Sequence, residues 1–340
     1  MHEPLITLYR AVFGQEPVSV TPLNAHASNR RMFRLAGAGE RSVIGIVNPN
    51  RFENRAFVEF SRHFRSVGLP VPEIYGVHDD TGTYLEEDLG NETLYDVLSA
   101  ARGNGEEFPA AVEQLYVEAV SILPRFQIVG GAALNYDHCH PRKAYDRESM
   151  LWDMGFFRDS FVRRAGIVFD EAGLEKDFDR LAQFLEEAPT GFFMYRDFQS
   201  RNIMVKGGAL FFIDYQGGRR GPLQYDVASL LYQAKARIPP EVRGRMLEAY
   251  LTSASRFVPL DRPVFLRHFY GFVLIRLLQV LGTYGEQGLN LKKTYFIESI
   301  PPALRNLSAL APDMPLLEEL PEFSRIVRSL NEIYLAEDRR

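Results

Sequence analysis

A Gly207-Gly208 pair set between two short apolar runs constrains this chain more than any other feature. Two adjacent glycines accept the positive φ angles of a two-residue hairpin turn, whose twist matches that of its flanking strands. Residues 203–206 and 209–213 then pair, with Lys206 opposite Ala209, Val205 opposite Leu210, Met204 opposite Phe211 and Ile203 opposite Phe212. One step further Asn202 faces Ile213, so Asn202 and Asp214 emerge side by side at the open end of the hairpin. Asp197 lies five residues before Asn202, on the loop that leads into the same spot.

Two oxygen-bearing side chains at one point suit a hard cation such as Mg²⁺, which keeps waters and phosphates as its other ligands. A carboxylate beside them can orient a hydroxyl and take its proton. These are the parts that phosphoryl transfer from a nucleotide requires. Each residue has a plainer reading, Asp197 as a surface partner of Arg196 and Asp214 as a turn cap. It is the whole set, in register, that favours the chemistry.

The rest of the chain narrows the setting. A length of 340 residues allows one large or two modest domains, and 46% hydrophobic content with 25 Phe and 16 Tyr argues for a sizeable core over disorder. The net charge of −5 is dispersed, with no basic tract for nucleic acid and no polybasic face for an anionic membrane. The single cysteine, Cys139, excludes an intrachain disulfide and fits a reducing, cytoplasmic setting. The first residues lack the basic start and long apolar core of a secretion signal. The most apolar stretch, 269–281, is interrupted by Arg276 and Gln279 and reads as a buried helix rather than a bilayer span. In His138-Cys139-His140 adjacent side chains cannot all converge on one ion, and no second pair has zinc-site spacing, so a metal site is not expected there.

Residues 3–13 read as an amphipathic helix, and strands follow at 18–20, 31–35 and 42–47. Phe57, Phe60 and Phe64 at helical spacing predict a helix over 54–67, stopped by Leu69-Pro70-Val71-Pro72, and another strand pair spans 74–77 and 83–86. Beyond Asp88 the pattern becomes mostly helical, over 93–101, 109–127, 147–165, 171–187, 226–236, 241–255, 263–283 and 324–336. The expected organisation is an α+β fold in two lobes, a small β-rich N-lobe over 1–88 and a larger helical C-lobe over 89–340, with a ligand cleft between them.

This layout, with Arg196-Asp197, Asn202 and Asp214, resembles the protein-kinase-like fold of the aminoglycoside phosphotransferase family, over about residues 15–310. Within it the likeness is greatest to sugar-1-kinases that phosphorylate N-acetylmuramate and N-acetylglucosamine. It rests on 196–202, on the segment from Gly221-Pro222 through Asp226 to Leu231, and on Arg276, Gly282 and Lys293-Thr294-Tyr295. The resemblance implies ATP and Mg²⁺ as cofactors, Asp197 as catalytic base, Asn202 and Asp214 as metal ligands, and Asp226 with Arg196 as support for the loop. Asp226 also reads as a helix N-cap after its Gly-Pro turn. Tyr195 replaces the family's usual His.

Two departures bear on the nucleotide. There is no GxGxxG; Ser28 and Arg30, in the turn between the first two strands, are expected to contact phosphate instead. The strand 42–47 has no lysine, leaving Arg30, Arg31 or Arg34 to supply its charge; Glu53 or Glu59 either orients such an arginine or is plain helix surface, the surface being the favoured reading. Adenine is expected against the backbone of Glu86 to Asp88.

The acceptor is expected to be a small molecule carrying a hydroxyl, an amino sugar first, with an aminoglycoside or amino alcohol as rival. A nucleotide-binding module without turnover is the alternative of another class. Asp146, Glu148, Arg219 and Arg220 are candidate acceptor contacts, the arginines as a fork for a carboxylate. Asp146 and Glu148 could equally complement a helix dipole. Trp152 could stack on a sugar ring, but is expected to pack in the core.

Overall fold

The computed structural model describes residues 2–23, 30–39 and 41–336. The N-terminal part is built on alternation. After helix α1 (Glu3–Phe13), strands β1 (Ser19–Leu23), β2 (Arg31–Ala36) and β3 (Ser42–Val47) lead into helix α2 (Arg51–Ser66) and then into β4 (Ile74–His78) and β5 (Thr83–Glu87). The strands form one antiparallel sheet in the order β1-β2-β3-β5-β4. Leu35, Val43 and Leu85 point to one face and bury against Leu5, Leu8 and Tyr9 of α1. Close approach of that helix needs Gly45, where a Cβ would lie 2.7 Å from Leu35 and 3.0 Å from Leu5. The other face carries Ile44, Ile46 and Tyr84 toward α2, and the row Arg34, Ile44, Glu86 runs across it.

The C-terminal part is a helical lobe of α3 (Leu94–Gly103), α4 (Ala110–Pro124), α5 (Arg147–Phe157) and α6 (Glu171–Glu186), then four short strands, β6 (Phe192–Met194), β7 (Ile203–Lys206), β8 (Ala209–Phe212) and β9 (Arg219–Gly221). Helices α7 (Gln224–Leu231), α8 (Pro240–Ala254), α9 (Arg262–Tyr284), α10 (Thr294–Ile297), α11 (Ile300–Ser308) and α12 (Pro321–Tyr334) complete it. Helix α9 is apolar on nearly every side because it is the axis of the lobe, packed by α5, α6, α7 and α11. With its one-turn extension it has the length and composition of a membrane span, and 67% of its most apolar window is buried inside the protein.

The hairpin has the expected register, Lys206 with Ala209 through Ile203 with Phe212, and the Ile213 N–H donates to the Asn202 carbonyl at 3.0 Å. Its position is fixed from outside. Val205 N–H donates to Glu92 O and Phe212 N–H to Pro70 O, each at 2.9 Å. Lys206 Nζ donates to Glu87 Oε1 at 2.9 Å and to Asp88 O at 3.0 Å. The hairpin is therefore pinned under the segment that connects the lobes.

Three elements differ from the expected pattern. β6 and β9 form a second small sheet, and strands of three residues are too short for a period-two signal. Helix α11 begins at Ile300-Pro301-Pro302, where two prolines occupy the first helical turn, a position that loses no hydrogen bond. The expected helices after residues 109 and 147 end regular α geometry at Pro124 and Phe157 and continue as wider π turns.

The joint between the lobes is aromatic. Phe64 of α2 is fully buried, with edge contacts to Phe126 at 5.2 Å, Phe193 at 5.1 Å and Tyr215 at 5.4 Å. Phe57 stacks on Tyr215 at 5.1 Å, and the Tyr215 and Ser61 hydroxyls share a hydrogen bond of 2.5 Å. Phe64→Ala is expected to destabilise the protein by ~3–5 kcal/mol, because its neighbours belong to both lobes and cannot collapse into the gap. Urea unfolding measures it; a loss under ~1 kcal/mol would show that the joint contributes little.

Candidate active site

The loop between β6 and β7 is held by a buried carboxylate. Asp226, fully buried, accepts from Tyr195 N–H at 2.8 Å, Arg196 N–H at 2.9 Å and Gln127 Nε2 at 2.9 Å. Burial pushes its carboxyl up to about 7, against the pull of those three donors. Helix α7 starts at Gln224, so Asp226 lies inside the first turn and is not the N-cap. The N-cap reading of Asp226 is thus corrected: its side chain turns back onto the loop, as the resemblance implied.

Arg196 takes φ +79°, a conformation costly for a residue with a Cβ. Its side chain is tied down by Asp153, with bonds of 2.8 and 2.7 Å, and by the Tyr225 hydroxyl at 2.8 Å. Tyr195 is buried and donates its hydroxyl to Ile213 O at 2.6 Å. This ties the loop to the strand end that precedes Asp214.

With both ends fixed, the Asn202 side chain joins the backbone of Asp197 to the carboxylate of Asp214. Asn202 Nδ2 donates to Asp197 O at 2.8 Å and to Asp214 Oδ2 at 3.3 Å. Among the described residues nothing bonds to Asn202 Oδ1. Asp214 Oδ1 accepts from Gln216 Nε2 at 2.7 Å and lies 3.4 Å from Arg30 NH1. Desolvation and the nearby Asp197 raise the Asp214 carboxyl, and Arg30 opposes them. Asp197 is 41% exposed, with Oδ1 3.4 Å from Arg276 NH2. An amide oxygen and a carboxylate side by side fit a hard divalent cation. No cluster of three His, Cys, Asp or Glu exists among the described residues, so such a cation would complete its shell with water or phosphate.

The missing lysine of β3 has a counterpart. Arg30 NH2 contacts Glu53 Oε1 at 2.6 Å while NH1 reaches Asp214, so the basic group enters from the start of β2. Of the two readings of Glu53, the pair with Arg30 bears out the orienting one against the favoured helix surface, and Asn48 Nδ2 adds a second bond at 2.9 Å. Burial alone would raise the Glu53 carboxyl, but these bonds hold it below its ordinary value. Glu59 does sit on the surface, paired with Arg62. Arg31 is exposed, and Arg34 is spent on Asp88, at 2.6 and 2.9 Å. Ser28 lies outside the described residues.

At the connection between lobes, Asp88 is a joint rather than an open contact. Its carboxylate also accepts from Ser42 and from Gly90 N–H, and its carbonyl from Lys206. Glu86 is different. Its side chain is buried on the cleft face beside Arg34 and Ile44, and among the described residues Oε2 has no hydrogen-bond partner. Burial raises this carboxyl to about 8.

The acceptor candidates divide. Asp146 caps α5, accepting from Ser149 N–H at 2.9 Å, and Glu148 pairs with Arg142 at the surface, so neither contacts Asp197, Asn202 or Asp214. Both follow the helix-terminus reading. Arg220 is exposed, with its guanidinium 4.0 Å above the Tyr136 ring. Arg219 is buried in the site. Trp152, expected in the core, is 61% exposed: α5 turns Met150, Asp153, Met154 and Phe157 inward, which leaves Trp152 on the outer side, stacked on Phe156 at 5.4 Å. Sequence reasoning missed the roles of Asp153 and Arg276. Arg276 had a signal, a lone cation inside an apolar helix; it bonds Ser229 Oγ at 3.0 Å and Gln279 as well as Asp197.

Residues 19–261 match the phosphotransferase enzyme family, well over half the chain. The chain belongs to that family, and is accordingly an enzyme that phosphorylates the hydroxyl of a small molecule. It is 26% identical over 313 residues to an N-acetylmuramate/N-acetylglucosamine kinase of Pseudomonas aeruginosa, covering 90% of this chain and 88% of that one. Among solved structures it resembles a putative aminoglycoside phosphotransferase from Ralstonia eutropha, with TM-score 0.62, 13% identity and coverage of 94% and 98%. It also resembles the amicoumacin kinase hAmiN, solved with AMP-PNP, Ca²⁺ and Ami, with TM-score 0.60, 14% identity and coverage of 93% and 95%. The two-lobed kinase-like fold is thus established.

The Glu86 carboxyl gives a sign for pH. Its folded value, about 8, lies above its ordinary 4.5, so the folded protein keeps a proton that the unfolded chain loses. Stability from this group is complete below about pH 4.5 and is lost as pH rises toward about 8. Glu86→Gln removes the titration. Its melting-temperature advantage over wild type is expected to grow from pH 5.5 to 8.5; a constant difference across that range would exclude the buried carboxyl as the cause.

Proposed function

We propose that the enzyme transfers the γ-phosphoryl group of ATP, as its Mg²⁺ complex, to the anomeric hydroxyl of an amino sugar. The observation that supports the reading is that the Asn202 amide bonds both the Asp197 backbone carbonyl and the Asp214 carboxylate, which brings the three residues to one place. Asn202 Oδ1 and the Asp214 carboxylate would hold the cation, which neutralises phosphate charge when bound. Asp197, half open to the cleft, holds the acceptor hydroxyl and takes its proton. Arg30, oriented by Glu53, faces the phosphates from the N-lobe. The loop pinned by Asp226 and Arg196 keeps these groups in place, so that the contribution is mainly positioning and charge.

The acceptor class is supported by the similarity to the Pseudomonas sugar kinase and by charge. Arg276 bonds Asp197, and Arg219 is close enough to interact with it. Two guanidinium groups beside the base disfavour a cationic aminoglycoside or choline-like acceptor.

Asp197→Asn is expected to lower kcat by ~10²–10⁴ while calorimetric ATP binding stays near wild type. Asp214→Ala is expected to weaken binding of the Mg²⁺–ATP complex itself. ADP release with N-acetylglucosamine and N-acetylmuramate measures turnover. Unchanged kcat in Asp197→Asn would remove its role as base. ATP binding by wild type without acceptor-dependent ADP, across sugars, aminoglycosides and amino alcohols, would favour a module without turnover.

A further inference from the structure

Among the described residues, Arg219 is a buried cation with no ion-pair partner. Its side chain is 8% exposed, and its bonds run from Nε and NH2 to one carbonyl, Gly217 O, at 3.1 and 3.0 Å. The acidic groups around it are taken. Asp153 is held by both ends of Arg196 and by the Tyr145 hydroxyl at 2.8 Å, and Asp197 is met by Arg276. Burial pulls the Arg219 guanidinium below its ordinary value, and Arg196 adds to that. A desolvated charge in this state is costly unless an opposite charge arrives.

Its place in the fold is as specific as its charge. In the β6–β9 ladder Arg219 pairs with Met194, three residues before Asp197. Alternation turns Arg219 and Gly221 inward and Arg220 out. The preceding residue packs too closely for a side chain, since a Cβ on Gly218 would sit 2.3 Å from the Phe193 ring and 2.9 Å from Tyr215 O. The guanidinium is thus held by the Gly217 carbonyl on the ladder that leads to the proposed base, which lowers the ordering cost of binding.

We propose that Arg219 receives a carboxylate carried by the acceptor, so that the enzyme favours an acidic amino sugar over its neutral parent. This rests on the amino-sugar reading above. A guanidinium offers a carboxylate a two-bond fork that the neutral sugar cannot use. A site built around an ionic group loses much of its affinity for a ligand without it.

The test compares two sugars that differ in one acidic substituent, N-acetylmuramate and N-acetylglucosamine, on the purified full chain. Calorimetric binding and steady-state kinetics are measured for wild type, Arg219→Gln and Arg219→Lys. Wild type is expected to bind N-acetylmuramate more tightly. Arg219→Gln is expected to lose ~10–100-fold in kcat/KM for N-acetylmuramate, chiefly through KM, and to stay within ~3-fold for N-acetylglucosamine. Arg219→Lys is expected to recover part of the loss. The melting temperature of Arg219→Gln is expected to hold or rise, since an uncompensated charge has been removed. Equal losses for both sugars, or a sharp fall in melting temperature with them, would make Arg219 a structural residue and overturn the proposal. Equal wild-type affinity for the two sugars would also overturn it. Turnover of neither sugar by wild type would sink the amino-sugar reading; the binding comparison still decides Arg219 in that case.

Discussion

The Asp226 carboxylate is the constraint on which the site depends. It is fully buried, and two of its partners are consecutive backbone N–H groups, those of Tyr195 and Arg196. Holding both lets Arg196 stay at φ +79°, which an unsupported loop would relax at a gain of ~1–3 kcal/mol. That turn directs the next residue, Asp197, toward the cleft. The Arg196 side chain completes the lock from the other side by its paired bonds to Asp153.

The charges around the cleft follow one pattern. Most are paired within the protein: Arg30 with Glu53 and Asp214, Arg34 with Asp88, Arg196 with Asp153, Arg276 with Asp197. Two buried groups depart from it. The Glu86 carboxyl has an unpartnered oxygen on the cleft face of the sheet, and Arg219 has only a carbonyl. Groups of this kind cost stability in the unliganded protein, and binding sites are where such costs recur. One lies on the strand that leads into the connection between lobes, the other on the ladder that leads to Asp197.

Rigidity reaches these groups through packing. The catalytic hairpin bonds to the Glu92 and Pro70 carbonyls and to the connection through Lys206. Tyr215, the residue after Asp214, packs on Phe57, Phe64 and Tyr195. The Asp214 carboxylate is therefore followed at once by a residue wedged between both lobes, and a change in that aromatic joint would be felt there.

The sequence by itself determined the hairpin, its register and the meeting of Asn202 with Asp214, because a glycine pair and a period of two are local properties. It also determined the sheet-then-helix order of the lobes, and flagged Arg276 as a cation out of place in an apolar helix. Tertiary structure decided everything that depends on distant partners. Glu53 reads as helix surface until Arg30 arrives from another strand, and Asp226 reads as a cap until the loop comes within reach. Arg219 and Arg220 are indistinguishable in sequence; a three-residue ladder buries one and exposes the other. Whether a charge is paired, buried or left over depends on which residues far apart in the chain become neighbours, and local spacing carries no record of that.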